Sequence, residues 1–370
     1  MTVSAVTTYL LPAAPPPDGW SSGKTFLFAK LEADDGQVGW GEAYALPGRE
    51  RAIEELVLAL GRAQVIGRGP SPRAFRHGAT VDFAQRRTGI DFTCAASALE
   101  MALWDLRGKQ LGQPVHVLLG GALREAVPLY ANTYSDRAPS MDQVVARIES
   151  LVAQGFEAVK IYPLLFGGLA AAETFVGRVR DLLGPDRAMM IDLAGQEDAH
   201  LALAAGRRFA PYDPFWFEEP VSSDDLETLA EIRAKLCLRL VSGERHGGIF
   251  RFREMLERRA ADALNPDIAG CGGILEMLDI AAMAEAHSVQ LSPHNYNSNT
   301  VAFAAMLQVA ALVPNLLNIE LYPDFTASGE RFATLHAEIG GSHATIPQAP
   351  GLGVTVDEAA LAALAPARRS

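Results

Sequence analysis

Six residues in the middle of the chain have the right types and spacing to form one reactive site. Asp192, Glu218, Glu244, Asp267, His294 and Glu320 follow one another at intervals of 26, 26, 23, 27 and 26 residues. Each closes a short apolar run: MMID, FWFE, LVSGE, ALNPD, VQLSPH and LNIE. The first three supply oxygen donors only. Such a set suits a hard divalent cation such as Mg²⁺, which keeps positions open for substrate oxygens. Singly, any of them reads equally well as a helix cap. Three at one interval, each following an apolar strand where burial is costly without a cation, read as a metal site. Asp267 and His294 complete a different device. A carboxylate beside imidazole fixes its tautomer and stabilises the charged ring, which suits proton transfer.

Further candidates surround this set. Lys160 ends the run AVK and could balance carboxylate charge or act as a base. Tyr162, two residues on, shares its side of the strand. Glu320 could hydrogen-bond a substrate oxygen. Glu219, adjoining Glu218, is expected to face the other way and to pair with a cation or support the metal from behind. Arg245 and His246 directly follow Glu244, and the polar stretch Asn295, Tyr296, Asn297, Ser298 and Asn299 follows His294. Both are candidate substrate contacts or ordinary loop polarity. Trp20, Tyr44 and Arg49 are candidates to close the site from the N-terminal side, with the Pro- and Gly-rich loop 12–23 as a lid.

An interval near 26 residues accommodates one strand, one loop and one helix. Strand patterns lie near 127–131, 157–161, 188–192, 214–218, 239–243, 262–266, 288–292 and 316–320. Amphipathic helices are expected at 140–154, 172–183, 197–208, 224–236, 250–259, 273–286 and 299–311. This alternation predicts a parallel α/β barrel of eight strands and seven helices, whose strand ends converge on one mouth. The N-terminal part has a different rhythm. Strands at 3–11 and within 24–44, with Asp34-Asp35-Gly36 as the hairpin turn, precede helices around 50–60 and 94–110. The expected organisation is an α+β capping domain over 1–126, a barrel over 127–320, and a segment 321–370 that returns to the cap. The glycines of Gly270-Cys271-Gly272-Gly273 read as a tight strand-to-helix turn.

The chain has 370 residues, of which 49% are hydrophobic, enough for a large core and a second domain. Its net charge of −12, without basic clusters, argues against nucleic acid and anionic membrane surfaces. Cys94, Cys237 and Cys271 lack metal-ligand spacing and read as reduced residues of a cytoplasmic protein. Residues 1–11 lack a charged start leading into a long apolar stretch, and no run approaches the ~20 apolar residues of a membrane span.

Taken together, GWGEAY, ALWDLRGKQLGQPVHVLLGG, AVKIY, MMIDL, FWFEEP, VSGE, LNPDIAGCGGI, LSPH and NIE resemble the enolase superfamily, in its mandelate racemase/muconate lactonizing branch. The likeness runs through nearly the whole chain. It implies an α+β cap over a modified (β/α)7β TIM barrel and a homo-oligomer. It implies Asp192, Glu218 and Glu244 as Mg²⁺ ligands, His294 with Asp267 as a dyad on one substrate face, and Glu320 at the substrate carboxylate. Lys160 matches the first lysine of the family's Lys-x-Lys motif. Two positions depart from that pattern: Tyr162 replaces the second lysine, and Ala194 replaces the Asn two residues after the first ligand.

The chemistry so implied is abstraction of the proton α to a carboxylate, with Mg²⁺ stabilising the enediolate as charge develops. The expected reaction is dehydration of a sugar acid to a 2-keto-3-deoxy acid. His294 donates to the departing hydroxyl, and Lys160, Tyr162 or His294 itself handles the proton. A tyrosine phenol titrates near ~10 and is a less ready base than a tuned lysine, which weighs against a two-base racemase. Epimerisation or cycloisomerisation on the same scaffold is the alternative, and a non-catalytic sugar-acid binding protein is a third.

Overall fold

The computed structural model describes residues 2–13, 20–21, 24–195, 198–296, 298–365 and 367–369. The lid reading of loop 12–23 falls mostly on 14–19 and 22–23, outside the described residues, as does Asn297.

The chain opens with strands β1 (Val3–Leu11), β2 (Phe26–Ala33) and β3 (Val38–Ala43), paired antiparallel in sequence order. Gly36, at φ 84°, turns the β2–β3 hairpin where only glycine is at ease. Helices α1 (Glu50–Gln64), α2 (Pro72–His77) and α3 (Ile90–Leu111) follow. The sequence reading placed no element between α1 and α3. There Ser71 caps α2 with Pro72 in its first turn, and the helix runs on into a wider turn over Gly78–Phe83. A single-turn helix α4 (Val115–Leu118) leads to the second body.

That body alternates β4 (Ala126–Asn132), α5 (Met141–Ala153), β5 (Ala158–Ile161), α6 (Leu169–Leu183), β6 (Ala188–Asp192), α7 (Ala199–Phe209), β7 (Trp216–Glu218), α8 (Leu226–Lys235), β8 (Leu240–Ser242), α9 (Ile249–Glu257), β9 (Ala263–Leu264), α10 (Ile274–Ala286), β10 (Gln290–Leu291), α11 (Thr300–Ala310) and β11 (Ile319–Leu321). Neighbouring strands from β4 to β10 pair in parallel. β11 pairs with β4, and Leu317 N–H donates to Leu291 O, which closes the barrel. The fold is the modified (β/α)7β barrel with an N-terminal cap. The last strands are shorter than their apolar runs because Pro266 and Pro293 lack the N–H a ladder needs. Their carbonyls still serve it, accepting from the backbone N–H groups of His294 and Glu320.

Beyond β11 come α12 (Pro323–Gly329), β12 (Ala333–Leu335), β13 (Ile339–Gly340), β14 (His343–Thr345), β15 (Val354–Val356), α13 (Glu358–Leu364) and β16 (Ala367–Arg369). β16 pairs with β1, and Lys30 of β2 meets Glu358 at 2.7 Å, so the chain does return to the cap. On the way, β14 adds antiparallel to β4 on the barrel.

Two buried carboxylates fasten cap to barrel. Glu42 of β3 accepts from the N–H groups of Asn299 and Ala302 at the start of α11. Glu100 of α3 accepts from those of Ile274 and Leu275 at the start of α10. Each satisfies N–H groups that a helix start leaves without partners, and favours the positive end of the helix dipole. Gly273 permits the second approach: a Cβ there would stand 2.4 Å from Glu100 Oε2.

Candidate active site

The barrel interior is filled by Tyr130, Ala158, Met190, Trp216, Val241 and Ala263, one from each strand from β4 to β9. Side chains two apart on a strand share a face. Lys160, Asp192 and Glu218 stand two residues beyond Ala158, Met190 and Trp216, so the same column of apolar side chains carries them at its open end. This is why an apolar run closing on a charged residue was informative.

Asp192, Glu218 and Glu244 each offer an oxygen, and the three lie within 4.8 Å of one another. Asp192 and Glu218 are buried and Glu244 is partly exposed. Lys160, itself buried, sits among the carboxylates. Its Nζ is 2.8 Å from Glu218 Oε1, 2.9 Å from Glu320 Oε1 and 3.4 Å from Asp192 Oδ2. Glu218 also accepts from Trp216 Nε1 and Asn265 Nδ2 at 2.8 and 3.0 Å. Burial pushes Asp192 up to about 6 against the pull of Lys160, with Glu244 adding to the rise. Glu218 is raised chiefly by burial as well. One lysine thus faces a surplus of buried carboxylates. The donor set and the charge imbalance both fit a divalent hard cation.

Glu219 follows the end of β7 at φ 41° and bonds toward β8. It accepts from Ser242 Oγ and Gly243 N–H at 2.6 and 3.1 Å and lies 3.6 Å from Arg245 Nε. Ala194 sits at φ 57°, a conformation Asn or Gly takes more readily than Ala. Its N–H holds Asp192 Oδ1 at 2.7 Å, and its carbonyl accepts from Arg245.

Asp267 and His294 share a bridge between neighbouring strand ends, and His294 Nδ1 lies 2.8 Å from Asp267 Oδ2. Nε2 is 3.3 Å from Glu244 Oε2 and 3.6 Å from Glu320 Oε2. Burial disfavours the imidazolium, but Glu244, Glu320 and Asp267 outweigh it and hold His294 up at about 10. Any cation engaging Glu244 weakens that pull and returns the ring toward a usable base. Glu320 is buried, yet Lys160 and His294, with the Asn295 N–H, hold it down at about 2. Asn132 Nδ2 also donates to it at 2.7 Å.

A cavity of about 460 Å³ opens between cap and barrel, lined in part by Asp192, Glu244, Arg245, His294, Tyr162 and Tyr296, with Tyr44 and Lys24 from the cap side. Tyr44 N–H donates to Ala269 O, and its ring stacks near His294 with centroids 6.5 Å apart. Tyr162 packs edge-on to Tyr134 at 5.0 Å, and burial holds its phenol well above the usual range. Burial likewise pushes Lys24 down to about 7, with Asp136 the strongest of the carboxylates that oppose this. Sequence reasoning missed Lys24, Asn132 and Asn265.

The described geometry places other candidates elsewhere. His246 is buried, with Nε2 2.8 Å from Ser223 O and its ring edge-on to Phe252, away from the cavity lining. Arg49 pairs with Asp91 at 3.0 Å, half exposed on the cap. Trp20 Nε1 donates to Thr133 O at 3.0 Å, tying the cap-side loop to the end of β4. Asn295 turns its backbone N–H to Glu320 Oε2 at 2.8 Å.

Cap, closed barrel, acid cluster and dyad define a capped α/β-barrel enzyme. Residues 143–360 match the enolase C-terminal domain-like family, and residues 19–120 match the mandelate racemase/muconate lactonizing enzyme N-terminal domain. The chain belongs to the mandelate racemase/muconate lactonizing enzyme family of the enolase superfamily. It is 32% identical over 347 residues to a D-gluconate dehydratase of Thermoproteus tenax, covering 90% of this chain and 69% of that one. It is 33% identical over 352 residues to a D-galactarolactone cycloisomerase of Agrobacterium fabrum, covering 91% and 90%. A crystal structure described as an enolase from Sargasso Sea environmental sequence superposes with a TM-score of 0.96 at 32% identity, covering 100% of this chain and 98% of that one.

Proposed function

We propose that this protein abstracts the proton α to a carboxylate with Mg²⁺ as cofactor, and that the turnover it catalyses is dehydration of a sugar acid to a 2-keto-3-deoxy acid. The observation that carries the reading is the arrangement of His294: supported by Asp267 on Nδ1, it turns Nε2 to the carboxylate cluster and lines the same cavity. Asp192, Glu218 and Glu244 would hold the metal, which supplies positive charge for the substrate carboxylate as it gains electrons.

The residues of the chain divide the remaining work. His294 Nε2 takes the α-proton, and the C–H electron pair forms the new double bond. The β-hydroxyl leaves with its bonding electrons, and His294 returns the proton so that water departs. The enol then becomes the 2-keto acid. Asp267 holds the imidazole and stabilises its charged form. Lys160 remains an ammonium because three carboxylates hold it, and Glu320 remains a carboxylate. The Tyr162 phenol, raised by burial, shapes the wall and does not serve as the base. A single working base suits an elimination better than a racemisation.

Similarity to a cycloisomerase at the same level as to a dehydratase favours a second reading, in which the leaving or entering group belongs to a ring. Proton NMR of products formed from a panel of sugar acids and their lactones in D₂O with Mg²⁺ separates the two. A new 3-deoxy C3 signal, carrying one solvent deuterium, supports dehydration. Loss of the α-proton signal with a ring-opened or ring-closed product and no keto acid overturns it.

A further inference from the structure

Two neighbouring strand ends in the acid cluster carry left-handed backbone at residues other than glycine. Glu219, next after Glu218, stands at φ 41°, and Ala194, two beyond Asp192, at φ 57°. The two ends are bonded to each other. Leu193 N–H donates to Glu218 O at 3.0 Å, and Gly195 N–H donates to Glu219 O at 2.7 Å. Between them, Ala194 N–H donates to Asp192 Oδ1 at 2.7 Å. An L-residue in this region costs free energy and persists only where its surroundings over-determine it. Whatever holds Ala194 there also aims the Asp192 carboxylate.

Arg245 is a side chain that reaches both ends. It stands beyond β8, next to Glu244, and its Nη2 donates to the Ala194 carbonyl. Its Nε lies 3.6 Å from Glu219 Oε2 and 3.7 Å from Glu244 Oε1. Glu219 is buried, and its Oε2 has no hydrogen-bond partner among the described residues, so the Arg245 charge is what that oxygen faces. Gly195, at φ 67°, leaves room for this: a Cβ there would stand 3.2 Å from Glu219 Oε2 and 3.4 Å from Arg245 Cζ. A guanidinium serves a carbonyl and two carboxylates at once because its donors leave a rigid plane in different directions. An ammonium on a flexible stem does not hold that geometry. Charge alone gives a poor reason for the residue, since a cation beside Glu244 repels any metal held there.

We propose that Arg245 is a positioning residue that clamps the ends of β6 and β7 in their left-handed conformation and so presets the Asp192 carboxylate for the metal. This rests on the reading above that Asp192, Glu218 and Glu244 hold Mg²⁺.

The test uses Arg245→Lys, which keeps the charge, alone and combined with Ala194→Gly, because glycine takes this φ without help. Amide hydrogen exchange over residues 193–195 is read on the metal-free protein, and Mg²⁺ affinity by titration calorimetry. Thermal unfolding checks that each variant folds. Wild type is expected to protect the three amides, and Arg245→Lys to speed their exchange at least ~10-fold. Arg245→Lys is also expected to weaken Mg²⁺ binding by about 10- to 100-fold, the usual effect of losing a group that orients a ligand. Adding Ala194→Gly is expected to restore most of both. Unchanged exchange in Arg245→Lys overturns the clamp. So does faster exchange with wild-type Mg²⁺ affinity, or a loss of affinity that Ala194→Gly does not recover, which would leave Arg245 a packing residue. A wild type that takes up no Mg²⁺ overturns the metal reading and the ligand role given to Arg245 here, while the exchange rates confirm or refute the clamp by themselves.

Discussion

His294 Nδ1 and Asp267 Oδ2 lie 2.8 Å apart, although 27 residues separate them in the chain. The contact exists because β9 and β10 are neighbours in parallel and both residues stand just beyond their strand ends. It leaves Nε2 as the nitrogen available for proton transfer. Asp267→Asn keeps the shape but offers an amide where a carboxylate is needed. Loss of the α-proton should slow by about 10²-fold or more, within the usual contribution of a positioned acid–base group. Stabilisation by Mg²⁺ should stay close to wild type. The decay of the α-proton signal by NMR and thermal unfolding check both, and a variant with a normal rate of loss would remove the dyad from the mechanism.

Metal addition should raise the midpoint of thermal unfolding. A ligand present at 100-fold over its Kd adds about 2.7 kcal/mol by mass action. Glu244→Gln, which weakens one of the three donors, should shift the Mg²⁺ dependence of the midpoint to higher concentration. An unchanged dependence would take Glu244 out of the ligand set. Chelation of wild type should stop loss of the α-proton and lower the midpoint together.

Lys160 meets Asp192, Glu218 and Glu320 at once. Lys160→Met should therefore destabilise the metal-free protein by about 3–5 kcal/mol, the cost of leaving buried charges unpaired. Denaturant unfolding with and without Mg²⁺ measures this. A loss below ~1 kcal/mol would show that the carboxylates do not need the ammonium.

Glu320 gives a pH signature. Its folded value, about 2, lies below its ordinary 4.5, because Lys160 and His294 overcome burial. A depressed carboxylate contributes stability that is complete above pH about 4.5 and is lost as pH falls toward about 2. Glu320→Gln should lack that component, so its metal-free stability should fall less steeply than that of wild type across this window. Parallel acid limbs for the two proteins would contradict the assignment.

The strand-end residues were legible because a parallel barrel turns a sequence interval into a spatial ring. Lys160, Asp192 and Glu218 continue interior columns begun by Ala158, Met190 and Trp216, and alternation makes that readable from the chain alone. Adjacency in sequence was a poorer guide. His246 follows Glu244 closely, yet its N–H returns to Gly243 O and its ring turns to Ser223. Arg49, a candidate to close the site from the cap, is paired instead with Asp91 at the start of α3. Lys24 had no periodic signal at all. Its place in the cavity depends on how the cap docks, which Glu42 and Glu100 determine through contacts about 170 to 260 residues distant in sequence. Residue types and intervals do not encode such docking in any local way.

In the proposed reaction His294 is the base that moves the α-proton. The most direct measurement is the rate at which the α-proton signal is lost, followed by proton NMR in D₂O with Mg²⁺, for wild type and His294→Asn on the same sugar acid. Rapid loss is expected in wild type. In the variant, loss is expected to be slower by about 10²–10⁴-fold while Mg²⁺ still raises the unfolding midpoint. Loss at the wild-type rate in His294→Asn, with the protein folded and metal bound, would contradict this role.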